Sequence, residues 1–261
     1  MSRQNFYKIR KARKRKQMDK ELILELVRAE RALQPRLGCR KVLHLIRSEL
    51  ELAGIRIGRD LFFELMKERQ MLVKRTKRRV STTNSRHSFA VYNNLIKDYV
   101  PGAIGQVLVS DITYIRTDEG FVYLALVMDA FSRKIVGYDC SDSLEAEGCL
   151  RALNRAMRQL PKDSNAIHHS DRGCQYCCHR YVNKLKSAGL RVSMTEENHC
   201  YENAQAERLN GILKYEYGLR STFKCKGDAY RVVDQAVRLY NTRRPHQALG
   251  YRIPETLHRA A

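Results

Sequence analysis

The sequence predicts an α/β domain with a mixed five-stranded sheet flanked by helices, preceded by a small basic domain that is all helical. Three observations predict this order. Apolar residues recur at helical spacing in three segments before residue 72, β-rich runs begin after Pro101, and beyond residue 144 short β-rich runs alternate with helical segments. A chain of 261 residues is long enough to bury a substantial core in such an arrangement.

The charge of the chain is strongly positive and unevenly distributed. The net charge is +21, and residues 1–80 carry 24 Lys and Arg against 9 Asp and Glu, or +15 of that total. Such an excess predicts a polyanionic partner, most commonly nucleic acid. The apolar runs are shorter than the roughly 18 to 20 residues of a membrane span, and the basic N-terminus lacks a following signal segment. We therefore expect a cytoplasmic protein without membrane association.

These patterns divide the chain into four parts. We assign a basic N-terminal tail to residues 1–17, a helix-turn-helix-like DNA-binding domain to 18–79, a linker to 80–103, and the α/β core with a C-terminal helical segment to 104–261. The linker is basic at its start and then polar and weakly periodic. For the tail, a disordered solubilising segment and an electrostatic anchor are both open interpretations.

The second part contains three helical segments separated by glycine-containing turns. The first begins at Asp19, and the other two cover residues 40–50 and 59–72. Glycine-linked helices also occur in bundles that never touch DNA, so the basic charge is what favours the DNA-binding interpretation. The candidate DNA contacts in this region are Arg40, Lys41, Lys74 and Arg75.

The core begins with three consecutive antiparallel strands. Strand patterns cover residues 106–115, 121–129 and 134–140, and a helical pattern follows them. The remaining elements are a strand at 166–170, a helix at about 176–188, a strand at 190–194 and a long helix from Glu202. The ribonuclease H-like fold has this order of elements: three meander strands, a helix, and then alternating strands and helices.

Two aspartates occupy strand positions in this arrangement. Asp111 lies inside the first strand, where apolar surroundings penalise an isolated carboxylate unless a cation or hydrogen bonds compensate. Asp171 directly follows the fourth strand. If the two strands are neighbours, these acids form a site for a hard cation such as Mg²⁺, which uses few carboxylates together with water and phosphate oxygens.

The long helix supplies a third acid, Glu207. At about 100° per residue, its polar side chains fall within a stripe of about 60°, apart from the apolar stripe that contains Leu209. A solvated helix face is the alternative interpretation of this stripe. Its members are Asn203, Glu207, Asn210 and Lys214.

The stretch HHSDRGCQYCCH at 168–179 also raises the possibility of zinc. Cys174, Cys177, His179 and one of the two preceding histidines are soft ligands, but no second Cys-x-x-Cys or spaced His pair completes a standard set. We therefore favour magnesium at Asp171. We expect the eight cysteines to be reduced thiols, mostly small core residues.

Several motifs in order resemble one family over nearly the whole chain. Asp111, Asp171 and Glu207 resemble the acid triad of the DDE transposases and retroviral integrases. More closely, the chain resembles the second-frame (OrfB) product of insertion sequence 3 family elements. The matching segments are SDITYI (110–115), HSDRG (169–173), QY (175–176), ENAQAERLNGILKYE (202–216) and YNTRRPHQALGYRIP (240–254). The chain departs from the family at Leu108, where Trp is frequent, and at Cys174, where a small residue such as Ser is usual.

The resemblance implies a transposase that cleaves and joins DNA at insertion-sequence ends. It assigns catalysis and metal binding to Asp111, Asp171 and Glu207, with two Mg²⁺ ions per site and Mn²⁺ as a substitute. The implied partners are element ends and target DNA, further copies of the chain, and an upstream first-frame product acting separately or as a fusion. The implied location is the bacterial nucleoid in the cytoplasm. The remaining DNA-contact candidates are Lys214, Asn203 and Asn210.

Two other functions remain open at this point. The chain is alternatively a catalytically inactive DNA-binding copy that competes with the active transposase, or a nuclease of ribonuclease H type. We expect Asp129 to be a turn or structural acid, and residues 240–251 to dock on the core. Arg243, Arg244 and His246 in that segment are further candidates for DNA contact.

Overall fold

The computed structural model describes residues 3–74, 89–161, 164–196 and 203–260, and the chain divides into two compact units. The first unit combines the described residues up to 74 with Pro245–Tyr251, and the second contains the remainder. The helices are α1 (Arg3–Leu33), α2 (Cys39–Leu45), α3 (Arg47–Leu52), α4 (Arg59–Glu68), α5 (Ala146–Met157), α6 (Cys174–Cys177), α7 (His179–Ser187), α8 (Ala204–Glu216), α9 (Lys226–Thr242) and α10 (Pro254–Ala260). The strands are β1 (Val107–Thr117), β2 (Gly120–Asp129), β3 (Ile135–Ser141), β4 (Ile167–Ser170) and β5 (Arg191–Met194).

The helical unit has a small apolar core of its own. Leu24 and Val27 of α1, Val42 of α2, and Phe62 and Met66 of α4 are all fully buried in it. The predicted helix at 40–50 is divided at Ile46, whose backbone N–H still donates to the Val42 carbonyl. The unit therefore has the small helical architecture that the sequence predicts, with one additional break.

Residues 1–17 are not a separate tail, because α1 already begins at Arg3. The segment has no apolar periodicity from which a helix can be predicted, but Lys, Arg and Gln are good helix formers. It extends α1 in the N-terminal direction from its packed part, which begins near Ile23. The basic charges of the segment are therefore carried on a helix.

The C-terminal motif also differs from the prediction. Pro245–Tyr251 clusters with the helical unit, not with the α/β core, and the Tyr251 ring stacks on His44 with 5.0 Å between ring centroids. The linker prediction also changes, because residues 89–103 belong to the α/β unit. Leu95 N–H, for example, donates to Ser193 Oγ of β5 at 2.8 Å. The rest of the predicted linker, 80–88, lies outside the described residues.

The sheet of the second unit has the order β3-β2-β1-β4-β5. β1, β2 and β3 form the predicted antiparallel meander, and β4 and β5 are added in parallel beside β1. This mixed five-stranded sheet confirms the predicted fold class. β1 is the central strand, so its side chains can be surrounded by neighbouring strands and helices.

Helices cover both faces of this sheet. α5 and α7 bury apolar residues such as Leu153 and Tyr181 on one face, while α8 and α9 bury residues such as Leu213 and Tyr240 on the other. α5 lies so close to β3 that a Cβ on Gly137 would come within 2.1 Å of the Ala152 carbonyl oxygen. None of the helices in the described ranges is long and apolar enough to span a membrane.

Candidate active site

Asp111 lies on β1, and Asp171 directly follows β4, the parallel strand beside β1. Val107 of β1 pairs with Ile167 of β4, and Val109 pairs with His169. Continuing the same register places Asp111 beside Asp171, on the sheet face that α8 covers. The backbone N–H of Gly173 donates to Asp171 Oδ1 at 3.0 Å, which orients that carboxylate at the turn after β4.

Helix α8 joins this pair through two buried amide side chains. Asn210 Nδ2 donates to Asp111 Oδ2 at 2.7 Å, and Asn203 Nδ2 donates to the Ser110 carbonyl at 3.0 Å. Both asparagines are less than 10% exposed. They lie on either side of Glu207 in the helix, so these bonds hold the Glu207 turn of α8 against the acidic position of β1.

The electrostatics of the site are those of crowded carboxylates. Burial, followed by the negative charge of Asp171, raises the pKa of Asp111 to about 7, although hydrogen bonds from Ile112 N–H and Asn210 act in the opposite direction. The charge of Glu207 contributes in the same direction as that of Asp171. The three acids therefore interact electrostatically, and a cation among them would relieve their repulsion.

Lys214 lies one helical stripe further along α8 and is half-buried. Burial lowers the pKa of its ammonium group, while the Asp111 carboxylate acts to raise it. Lys214 therefore lies within the electrostatic reach of Asp111, on the same side of α8 as Glu207. This position is consistent with a contact to a phosphate bound at the acids.

The resemblance implies Mg²⁺ at Asp111, Asp171 and Glu207. In the described part of the chain, no three His, Cys, Asp or Glu side chains converge into a ready-made metal site. The chemistry of the donors nevertheless fits a hard divalent cation, because Mg²⁺ needs only one or two carboxylates plus water and phosphate oxygens. Asp111 and Asp171 are two such carboxylates, and a cation between them would offset the burial and the charge repulsion that raise the pKa of Asp111.

The soft residues of 168–179 have other partners than zinc. His168 Nε2 lies 2.8 Å from Ser110 Oγ and 2.9 Å from Tyr181 Oη, while His169 Nδ1 lies 2.8 Å from Ser193 Oγ. The two rings point to opposite sheet faces because strand side chains alternate. Cys177 is buried with its Sγ 3.6 Å from Met194 Sδ, which is a packing contact. Seven of the eight cysteines lie in the described residues, and all seven are free thiols.

The DNA-contact candidates have different placements. Asn203 and Asn210 are buried with their amide N–H groups already donating inside the protein, which argues against the DNA-contact role predicted for them. In the helical unit, Arg40 and Lys74 are exposed and Lys41 is half-buried, whereas Arg75 lies outside the described residues.

The C-terminal candidates differ in a similar way. Arg244 and His246 are buried, so neither is available as a surface contact, while Arg243 is exposed. Arg244 forms a two-point ion pair with Glu216, with Nε–Oε2 at 2.7 Å and Nη2–Oε1 at 2.9 Å. This pair ties the last residue of α8 to the end of α9. Sequence reasoning missed this partnership because the two residues lie on different elements.

Asp129 has the structural role predicted for it. Its Oδ1 accepts the backbone N–H and the hydroxyl of Ser132, both at 2.7 Å, and its Oδ2 accepts the N–H of Gly105 at 2.8 Å. The side chain is buried and organises the turn between β2 and β3. Leu108, which replaces the Trp frequent in the family, is fully buried in the sheet core.

The ribonuclease H-like sheet carries Asp111 on β1 and has Asp171 directly after the parallel strand beside it, and the helix of Glu207 is bonded to Asp111 through Asn210. This arrangement is the core of an integrase-type polynucleotidyl transferase. Family models described as "Integrase core domain" match residues 103–200 and 188–254. The fold is similar to a chain of the simian T-cell lymphotropic virus intasome, with a TM-score of 0.52 and 18% identity over 67% of this chain and 60% of that one.

Bacterial relatives are much more similar in sequence. The insertion element IS600 31 kDa protein of Shigella sonnei is 36% identical over 90% of this chain and 86% of its own length. The transposase of insertion sequence IS629, also from Shigella sonnei, is 34% identical over 85% of this chain and 74% of its own. The chain belongs to the transposases of the insertion sequence 3 family, and is an enzyme of DNA transposition.

Proposed function

We propose that the transposase reaction follows DDE-type chemistry at Asp111, Asp171 and Glu207. The observations that carry this proposal are the position of Asp171 directly after β4, the strand beside the one that bears Asp111, and the bond from Asn210 of the Glu207 helix to Asp111 Oδ2 at 2.7 Å. Crowded carboxylates of this kind can hold divalent cations that also bind the oxygens of a phosphodiester. The non-catalytic alternative has no observation in its favour, because all three acids are present.

The acids would hold Mg²⁺, with Mn²⁺ as a substitute and two ions per site. When bound, the metal neutralises phosphate charge and activates the attacking water or DNA 3′-hydroxyl for in-line displacement. Within the chain, Ile112 N–H and Asn210 each donate to one oxygen of Asp111, and so fix the plane of its carboxylate. Gly173 N–H orients Asp171 in the same way.

The substrate in this proposal is DNA, both the element ends and the target. Lys214, half-buried near Asp111, contacts a phosphate or base of the element end, and exposed Arg40 and Lys74 contribute phosphate contacts in the helical unit. Joining two ends requires more than one copy of the active site, so we infer a homo-oligomer, working alone or with the upstream first-frame product. A DNA substrate places the reaction at the nucleoid, as the sequence predicts.

Strand transfer tests this proposal directly. The purified protein is incubated with a labelled duplex carrying the DNA end that flanks its gene, together with plasmid, in Mg²⁺, Mn²⁺ or EDTA. Joining is expected in either metal and not in EDTA. Asp111→Asn, Asp171→Asn and Glu207→Gln should each abolish joining while retaining folding and DNA binding, because only the charge of one oxygen is removed.

The matched control for charge removal is Asp98→Asn, since Asp98 is an exposed aspartate of the same unit. It should join DNA at the wild-type rate. Joining by the Glu207→Gln protein at a rate close to wild type would contradict the assignment. Where the wild-type protein binds but does not join, the experiment is repeated with the fused first-frame product, and an inactive fusion would contradict the proposal.

A further inference from the structure

Three aromatic residues form a patch on the β1–β2 hairpin, in which Tyr114 and Phe121 are exposed and Tyr123 is half-buried. Tyr114 pairs directly with Tyr123 across the two strands, and Arg116 pairs with Phe121. The Tyr114 ring lies 5.3 Å from that of Tyr123 and 6.3 Å from that of Phe121, measured between centroids. Tyr114 is 37% exposed and Phe121 44% exposed. Aromatic side chains usually contribute to a core, so this exposed cluster needs another explanation.

A cation accompanies the aromatic patch. The Arg116 guanidinium lies 5.6 Å from the centre of the Phe121 ring, and both side chains are exposed. Aromatic faces beside a guanidinium are the groups with which proteins bind single-stranded nucleic acid, because bases stack on the rings and phosphates pair with the cation. A purely apolar protein partner would gain nothing from the charge of Arg116.

The patch lies close to the catalytic acids. Tyr114 follows Asp111 by three residues on β1, a separation of about 10 Å along a strand, and its side chain points to the opposite face of the sheet from that of Asp111. Burial and the neighbouring Tyr123, then the negative charge of Asp171, raise the pKa of the Tyr114 hydroxyl. β4 ends at Ser170, so Tyr114 stands past the end of that strand, at the rim of the sheet.

We propose that Tyr114, Phe121 and Tyr123, together with Arg116, form a stacking platform for unpaired bases of the DNA strand whose phosphodiester reacts at Asp111 and Asp171. This inference rests on the proposed function for the position of the reacting phosphate. The platform binds bases without sequence preference, because every base has a face that can stack on an aromatic ring. It holds the strand on the side of the site opposite to α8.

The absence of tryptophan from the sequence provides a direct test. Tyr114→Trp places the only tryptophan of the protein within the patch, where it can be excited selectively, and a base stacked on it quenches its emission. The probe is a short single-stranded oligonucleotide, compared with an abasic strand of the same length and phosphate number. Measurements are made in EDTA, so they need no metal and no strand joining. Their outcome is therefore independent of whether the catalytic proposal holds.

We expect strong quenching by the base-bearing strand, with a dissociation constant at least about tenfold lower than that of the abasic strand, and weak quenching by the abasic strand. Phe121→Ala in the Tyr114→Trp protein should weaken binding of the base-bearing strand. The control is Tyr99→Trp, an exposed tyrosine of the same unit outside the patch, which should not be quenched.

Two results would overturn the proposal. Equal quenching by both strands means that only phosphates are bound, and no quenching by the base-bearing strand means that no base reaches the patch. Phe121→Trp provides a second reporter where Tyr114→Trp disturbs the fold, which circular dichroism detects. Strand transfer that survives in the acid variants, with quenching intact, would contradict the catalytic proposal and leave the binding of bases at the patch standing.

Discussion

Asn210 donates from Nδ2 to Asp111 Oδ2 at 2.7 Å, and this bond links the helix of one catalytic acid to the strand of another. The amide is buried, so its partner cannot be replaced by bulk water without cost. The other oxygen of Asp111 accepts the Ile112 N–H, so both oxygens are oriented and each keeps a second lone pair. Asn210 is therefore a positioning residue for Asp111.

Replacing Asn210 by Ala should lower the rate of strand transfer. Hydrogen bonds to charged groups contribute about 1.5–3 kcal/mol, which corresponds to a loss of roughly 10- to 100-fold in rate. Asn210→Asp should lose more, because it adds a fourth carboxylate beside Asp111. The measurement is the initial rate of strand transfer as a function of Mg²⁺ concentration, since a misplaced carboxylate requires more metal.

Asn93 offers the control, because it is an exposed asparagine of the same unit. Asn93→Ala should leave both the rate and its metal dependence at the wild-type values. A positioning role for Asn210 would be excluded if Asn210→Ala lowered stability but left the Mg²⁺ dependence of the rate unchanged.

Mg²⁺ should stabilise the folded protein in the absence of DNA. A ligand at about 100 times its dissociation constant adds roughly 2.7 kcal/mol, or about 5–11 °C in Tm for a unit of this size. Asp111→Asn and Asp171→Asn should show little of this rise, because each removes a charged ligand. Thermal unfolding with and without Mg²⁺ measures the effect. The same rise in all three proteins would place the bound metal elsewhere.

Most of the α/β core could be predicted from the sequence. Its strands are runs of β-branched and aromatic residues ended by turns, so β1, predicted at 106–115, extends over Val107–Thr117. The sequence left open whether the first and fourth strands are neighbours, and the structure pairs β1 with β4. Helix α8 was equally accessible, because its polar stripe repeats every three or four residues.

The partners of the site residues could not be predicted in the same way. Asn203 and Asn210 were identified as polar positions beside Glu207, but a stripe does not reveal whether an amide donates to DNA or to Asp111. The helical start of α1 at Arg3 was missed because charged residues leave no apolar period. Clustering of Pro245–Tyr251 with the helical unit depends on contacts between distant parts of the chain, which a local pattern does not contain.

His168 should make the protein sensitive to acid. Burial, with a contribution from the neighbouring His169, lowers the pKa of His168 from 6.5 to about 3, so the folded protein keeps this ring neutral. The unfolded chain takes up a proton near pH 6.5. Stability from this group is therefore complete above pH 6.5 and is lost as the pH falls from there toward 3. At pH 5 the loss should be about 2 kcal/mol.

The His168→Gln protein separates this effect from other titrations. Glutamine reaches toward Ser110 and Tyr181 but cannot become charged, so its free energy of unfolding should fall less between pH 7 and pH 5 than that of the wild type. Urea unfolding at the two pH values measures the difference. His179→Gln, at an exposed histidine, should behave like the wild type. Parallel losses in the wild type and His168→Gln would assign the acid sensitivity to other groups.

The ion pair between Glu216 and Arg244 should be a main support of the C-terminal end of α8. The side chain of Arg244 is only 2% exposed, and that of Glu216 is 21% exposed. Loss of Glu216 therefore leaves a buried cation without its carboxylate. Glu216→Gln should cost about 3–5 kcal/mol in the free energy of unfolding, and Arg244→Met somewhat less, because the remaining carboxylate reaches solvent. The double variant should cost less than the sum of the two, with a coupling energy of about 1–3 kcal/mol.

Arg244→Lys should not restore stability, since an ammonium cannot reproduce the two-point contact. Arg259→Met is the matched control, because Arg259 is 78% exposed in its pair with Glu255 and should contribute less than about 1 kcal/mol. Urea unfolding of this set measures each value, and additive effects of Glu216→Gln and Arg244→Met would show that the pair does not act as a unit.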